Sequence, residues 1–195
     1  MDIEKAEAYI VAELQMRLDP TLYYHGLHHV LDVVRASAEI AALEQVQDEE
    51  SLILLKTAAL YHDCGFISVY QGHEEAGCRI ARRVLPDFGY TPGQIDKVCG
   101  MIMATMIPQN PQNQLEMILC DADLDYLGRD DFDTISATLF EELKTRDLID
   151  DIPAWDTVQV RFISAHRYWT ASEIERREAA KQRHLQQLKS RLGAL

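Results

Sequence analysis

Leu52-Ile53-Leu54-Leu55-Lys56-Thr57-Ala58-Ala59-Leu60-Tyr61-His62-Asp63 is the stretch on which the reading of this chain turns. The run up to Tyr61 is almost wholly apolar, suited to a buried helix and well short of the ~18 residues that a membrane span needs. An imidazole and a carboxylate then stand side by side at its end. An aspartate buried there without a partner is costly. Both side chains can instead point at one cation, with His29 upstream and Asp121 or Asp123 downstream to complete the shell. The order His … His-Asp … Asp points to a metal site built from helices, and to a metal-dependent hydrolase.

Helical spacing dominates on both sides of this stretch. Ile3, Ala6, Ile10, Val11, Leu14 and Leu18 recur at three and four, and Asp19-Pro20 stops that helix. A second helix is predicted from about Leu27 to Leu43. Asp48-Glu49-Glu50-Ser51 caps a third, which should end near Cys64-Gly65, with the glycine as its exit. Gly72 to Leu85 reads as a fourth, stopped by Pro86. Thr91 and Pro92 form the N-cap and first position of a fifth, running to about Met106. A turn-rich loop over 108–113 leads to a sixth from Leu115 to Leu127 and a seventh from Asp131 to Leu143. Pro153 precedes an eighth, and Thr170-Ala171-Ser172-Glu173 opens a last amphipathic helix to Leu192. Leu185, Leu188 and Leu192 share one side of it, facing either the core or a second subunit. No stretch alternates as a strand would, so the fold class is all-α in one domain.

Composition narrows the function. With 195 residues the chain can bury a substantial core. A net charge of −13 disfavours binding to a nucleic-acid duplex or an anionic membrane. It leaves room for a phosphorylated small molecule, because bound cations reverse the local field. Cys64, Cys78, Cys99 and Cys120 lack paired spacing and read as buried thiols. The charged start Met1-Asp2-Ile3-Glu4-Lys5 is unlike a signal peptide, so a cytoplasmic location is expected.

Taken alone, each polar cluster also has a structural reading. Tyr24-His25-Gly26-Leu27-His28-His29 could be surface histidines, with His25 and His29 one turn apart. His62 could bond a backbone carbonyl and Asp63 cap a turn. Asp121, Asp123 and Asp125 could be a solvated acidic edge, with Asp121 and Asp125 on one face and Asp123 elsewhere; the offsets of a calcium loop are absent. Taken together these readings weaken, since imidazole and carboxylate in this order form a shell for Mn, Fe, Ni, Co or Zn rather than for Mg alone. Arg79, Arg82 and Arg83, and later Arg161, His166 and Arg167, read mainly as surface charge. Thr105 and Met106 are candidate pocket residues, and Tyr23, Tyr24, Tyr61 and Tyr126 are core aromatics or a stacking wall.

Three of these segments resemble one family. Tyr24-His25-Gly26-Leu27-His28-His29 is similar to the Tyr-His-x-x-x-His stretch of the cyclic-nucleotide phosphodiesterases, a distant branch of the HD superfamily. Ala59-Leu60-Tyr61-His62-Asp63-Cys64-Gly65-Phe66 resembles the HD signature, with Cys64 where Ile usually precedes Gly. Asp121-Ala122-Asp123-Leu124-Asp125-Tyr126 is similar to the closing Ala-Asp motif. On these motifs, over about 24–128, the chain resembles the HD-domain metal-dependent phosphohydrolases.

The resemblance implies one HD-type helical bundle over 1–195, with a motif-bearing core at about 24–128 and further helices over about 131–192. It implies metal ligands His29, His62, Asp63 and Asp123, the last preferred over Asp121 because it follows Ala122. Asp121 or Asp125 would then orient a ligand, and Asp63 would bridge if a second ion binds. His73-Glu74 is similar to the His-Glu that many members carry after the signature. His73 would protonate the leaving oxygen with Glu74 orienting it, and His25 is the other candidate acid. The expected cofactor is one or two divalent ions (Mn, Fe, Ni, Co, Zn or Mg). The expected reaction is hydrolysis of a small phosphate ester, a nucleotide among the candidates, by metal-activated water. Two alternatives share the site: a di-iron oxygenase, and a non-catalytic module that binds a nucleotide or a partner. A homo-oligomer is also open. The Gly-Tyr-Pro extension of cyclic-di-guanylate hydrolases is absent, as is a second catalytic domain of the stringent-response type, and the chain is short for a cyclic-nucleotide phosphodiesterase.

Overall fold

The apolar spacing becomes nine α-helices, with no strand among the described residues, 1–193 of the computed structural model. The last two residues of the domain expected over 1–195 lie outside them. The helices are α1 (Ile3–Arg17), α2 (Leu27–Leu43), α3 (Glu49–Tyr61), α4 (His73–Val84), α5 (Pro92–Ala104), α6 (Gln114–Asp123), α7 (Phe132–Thr145), α8 (Ile152–Ala165) and α9 (Ala171–Gly193). Short 3-10 turns follow α3 (Cys64–Ile67), α4 (Leu85–Phe88) and α6 (Asp125–Gly128). The expected starts hold where a cap is present. Asp48 accepts from the Ser51 amide at the head of α3, and Thr91 forms a reciprocal capping box with Gln94 at the head of α5. No described helix is long and apolar enough to cross a membrane.

Two predicted helix ends are wrong, and both errors fall at the motifs. The helix α3 stops at Tyr61 rather than at Cys64-Gly65, and His62-Asp63 sit in the turn that follows. Gly65 is no left-handed exit. A Cβ on Gly65 would lie within 1.9 Å of the His73 carbonyl oxygen, so glycine is needed for the close pass of the 3-10 turn over the start of α4. The helix α6 stops at Asp123 rather than Leu127. Asp121 and Asp125 therefore do not share a helix face. Pro153 lies inside the first turn of α8, not before it.

Packing divides the interior into two clusters. The first joins α1 to α6, with Ile10 and Leu14 against Val33, Ile40, Leu54 and Leu60. Each such side chain contributes about 1.5–3 kcal/mol on burial. The helix α2 lies against both α3 and α6, which brings the three motif-bearing ends together. The second cluster gathers Tyr24, Tyr126, Phe132 and Ile163 with Leu185 and Leu188 of α9. Leu185 and Leu188 of the last helix's stripe therefore pack on its own chain, the helix lying against α8 and the 3-10 turn after α6. Gly128 permits that crossing, since a Cβ there would meet Arg177 at 2.5 Å.

A buried lysine ties α9 to α8. Lys181 has no exposed surface. Its ammonium donates to the His166 carbonyl at the C-terminus of α8 (2.9 Å), pairs with Glu178 (2.8 Å) and lies 4.9 Å from the Tyr168 ring centroid. Nδ1 of His166 lies 3.3 Å from the same ammonium, and its Nε2 is buried without a partner. Burial, and then the Lys181 charge, push the His166 pKa down to about 4 from its ordinary 6.5. A histidine held below its unfolded pKa contributes stability that is complete above that pKa and is lost as pH falls toward the folded value.

Two outcomes are expected. Gly65→Ala should lower unfolding free energy in urea by at least about 2 kcal/mol, because backbone rather than a flexible side chain must yield. The melting temperature of wild type relative to that of His166→Gln should fall on acidification from about pH 7 to about pH 4.5 in scanning calorimetry.

Candidate metal centre and pocket

Three helix ends converge at the centre. His29 stands in the first turn of α2, on the edge of the stripe formed by Val30, Val33 and Ile40. His62 and Asp63 occupy the turn after α3, and Asp123 is the last residue of α6. Nε2 of His29, Nε2 of His62 and a carboxylate oxygen of Asp123 lie within 4.8 Å of one another, a group that could hold a metal ion. Oδ1 of Asp123 is 3.1 Å from His29 Nε2 and 3.5 Å from His62 Nε2. Oδ2 of Asp63 is 3.5 Å and 3.3 Å from the same two nitrogens.

The donor set suits a cation. The Ala59 carbonyl can only accept, so Nδ1 of His62 carries a proton (2.8 Å) and Nε2 is the nitrogen presented to the centre as a candidate ligand. Oδ2 of Asp63 is buried with no hydrogen-bond partner. A buried carboxylate oxygen in that condition calls for a positive charge. The electrostatics agree. Burial alone would lower the His62 pKa, yet Asp63 and Asp123 hold it well above the ordinary value. Burial likewise works against the charged forms of Asp63 and Asp123, but the imidazoles hold both carboxyls well below the usual carboxylate range.

A second layer of histidines stands beside this group. Nε2 of His73, at the start of α4, is 3.4 Å from Asp63 Oδ1 and 3.5 Å from Glu74 Oε1. The Phe66 ring stacks on His73 (centroids 4.0 Å apart) and on His25 (4.3 Å). His25 is fixed from behind by Glu142 of α7. Nδ1 of His25 donates to Glu142 Oε1 at 2.5 Å, leaving Nε2 available. The same oxygen accepts from the Tyr70 hydroxyl (2.9 Å), and Oε2 accepts from the backbone amides of Tyr24 (2.9 Å) and His25 (3.0 Å). Glu142 is fully buried, and although burial favours its neutral form, the His25 hydrogen bond holds its pKa below the ordinary value.

These groups open onto a cavity of about 290 Å³. His25, Asp63, His73, Glu74 and Asp123 line one end. The remaining wall comes in large part from apolar side chains of the turn after α6, such as Leu124 and Leu127, and of α7 and α8, such as Leu139, Leu143, Trp155 and Phe162.

The family model of the HD domain matches residues 26–125, just over half of the chain. The chain belongs to the HD domain family. The HD domain marks a superfamily of metal-dependent phosphohydrolases, and HD domains bind divalent metals. No curated protein and no solved structure is a significant match.

The fold thus brings together the expected ligands His29, His62, Asp63 and Asp123 at the centre, with His73, Glu74 and His25 at its edge. Asp121 and Asp125 do not orient a ligand. Asp121 accepts from the Trp169 and Thr170 amides and the Thr170 hydroxyl at the head of α9. Asp125 pairs with Arg177 and Arg129. Tyr24, Tyr126 and Thr105 line the cavity, whereas Tyr61 is buried with its hydroxyl on the Ala6 carbonyl. Arg79, Arg82 and Arg83 are exposed on α4, and Arg161 and Arg167 are exposed too, none lining this cavity. Glu142 escaped the sequence reading. Its signal was a carboxylate at helical spacing on the apolar side of α7, after Ile135 and Leu139.

Glu142→Gln should destabilise the fold by about 1–3 kcal/mol in urea unfolding, because four donors face a carboxylate and an amide can accept at only one of its two ends. Tyr70→Phe, which removes one of those donors, should cost less.

Proposed function

We propose that this HD domain protein hydrolyses a phosphate ester of a small molecule, with His29, His62, Asp63 and Asp123 holding a divalent cation. The observation that carries the reading is the partnerless, buried Oδ2 of Asp63, set between two imidazole nitrogens in a family whose members bind such metals. Neutral imidazole with carboxylate fits Mn, Fe, Co, Ni or Zn. A cation bound there would supply activation of water and neutralisation of charge on a phosphoryl oxygen.

The chain's own residues supply the rest. His62 is held in one tautomer by the Ala59 carbonyl, so its ligand nitrogen costs no reorientation on binding. His25 is placed by the fully buried Glu142, which leaves Nε2 as the nitrogen able to give a proton to the leaving oxygen. Phe66 keeps the His25 and His73 rings at the cavity edge by stacking on both. His73, between Asp63 Oδ1 and Glu74, can hold a second proton or serve a second ion there. The surrounding hydrocarbon excludes bulk water and strengthens each of these interactions.

Elemental analysis of wild-type protein and Asp63→Ala, purified in parallel, tests the reading together with a phosphoester screen in the bound metal. Wild type should carry about one or two transition-metal ions per chain and turn over at least one ester. Asp63→Ala should lose both while keeping its helix content by circular dichroism. Unchanged hydrolysis in the variant, or oxygen-dependent turnover with bound iron and no ester cleavage, would overturn it. A companion variant, His25→Ala, should retain metal and lose about 10²–10⁴ in turnover.

A further inference from the structure

The charged groups of the cavity lie at one end only. Beyond them, Tyr70 and Thr105 have their hydroxyls engaged with Glu142 and the Ile102 carbonyl, Tyr24 and Tyr126 add ring surface, and the rest is mostly hydrocarbon: Leu124 and Leu127 after α6, Leu139 and Leu143 on α7. The helix α8 closes the opposite wall with Trp155, Val158 and Phe162. No Lys or Arg lines it. The polar groups of the α7–α8 wall are engaged with one another. The Gln159 oxygen accepts from Ser136 (2.5 Å), its amide donates to Asp156 (3.3 Å), and the Trp155 indole donates to Ser136 (3.3 Å). Asp156 is in turn held by Arg191. The apolar surface continues to the rim, where Ile107 and Val158 are 54% and 45% exposed.

Such a cavity discriminates by what lies beyond the phosphate. A phosphoryl group can be neutralised at the metal end. A sugar hydroxyl or a second phosphate placed further in would lose its water and find carbon. A methylene or an aromatic ring would gain from the same transfer. We propose that the alcohol portion of the substrate is apolar, an alkyl chain or an aromatic ring, and that nucleotides and polyphosphates are disfavoured. This rests on the phosphohydrolase reading above. For a monoester, water forms the new P–O bond, the P–O bond to the alcohol breaks, the leaving oxygen takes a proton, and orthophosphate and an apolar alcohol depart.

Calorimetric titration of the full chain, with and without Mn²⁺, separates the two readings. The probes are butyl-, hexyl- and octylphosphonate, adenosine monophosphate, and the neutral alcohol 1-hexanol. Expected with Mn²⁺ is a Kd that tightens by about fourfold per added methylene until the cavity is full, and hexylphosphonate binding more tightly than adenosine monophosphate. Val158→Glu, at the exposed rim, should shrink the octyl-over-butyl ratio with an unchanged circular dichroism spectrum. Affinity independent of chain length, tighter binding of the nucleotide, or no binding of any probe would overturn the inference. Hexanol and hexylphosphonate binding alike, with no dependence on Mn²⁺, would support the apolar selectivity of the cavity and count against the phosphohydrolase reading instead.

Discussion

Asp63, buried, and Asp123, part-buried, are two carboxylates within 3.5 Å of the same pair of imidazole nitrogens, and the arrangement of the fold follows from that demand. Buried negative charge is tolerated only against positive charge or directed hydrogen bonds. Here the surroundings offer few of the latter, since Oδ2 of Asp63 has none. The ends of α2, α3 and α6 must meet so that His29 and His62 face both acids. The packing of α2 on α3 and on α6 is what holds them there. Stability of the motif-bearing half and readiness to take a cation are thus two aspects of one juxtaposition.

The remaining acids show the same physics resolved otherwise. Asp121, two residues from Asp123, meets backbone amides at the head of α9, although burial still pushes its pKa up to about 6. Asp125 meets two arginines. Three aspartates at alternate positions are separated because α6 ends between them. One aims into the centre, one holds the segment just before α9 and one pairs with guanidinium. A helix continued to Leu127 would have left the trio repelling one another along a single element.

Apolar spacing was enough to foresee an all-α chain, and sequence order a meeting of His29, His62 and Asp63 with Asp121 or Asp123, the resemblance to the HD family favouring Asp123; each motif sits at or near the end of a helix. The helix ends at the motifs were less legible. Tyr61 and Asp123 end their helices for tertiary reasons, the close pass at Gly65 and the turn toward Tyr126, and neither leaves a local stop signal. Glu142 was illegible for a related reason. An acid among apolar residues reveals a burial problem but not its partners, of which Tyr24 and His25 lie more than a hundred residues earlier and Tyr70 on the turn before α4. Lys181 poses the mirror problem: a cation on an exposed-looking helix that proves to be wholly buried, with a carbonyl, a carboxylate and an aromatic ring as its partners.

The two hydrophobic clusters divide the work. The first, built from α1 to α6, fixes the candidate ligands and carries the family match. The second, from α7 to α9 with Tyr24 and the turn after α6, contributes none of those ligands but much of the cavity wall. Glu142 is the link between them, since an α7 carboxylate sets the imidazole of His25 on the loop before α2. Substitutions on the facing walls of α7 and α8 can therefore reshape what the cavity accepts while the cluster at His62-Asp63 keeps its geometry. Glu142 has no such freedom, because any change there moves both a wall of the cavity and a histidine at its polar end.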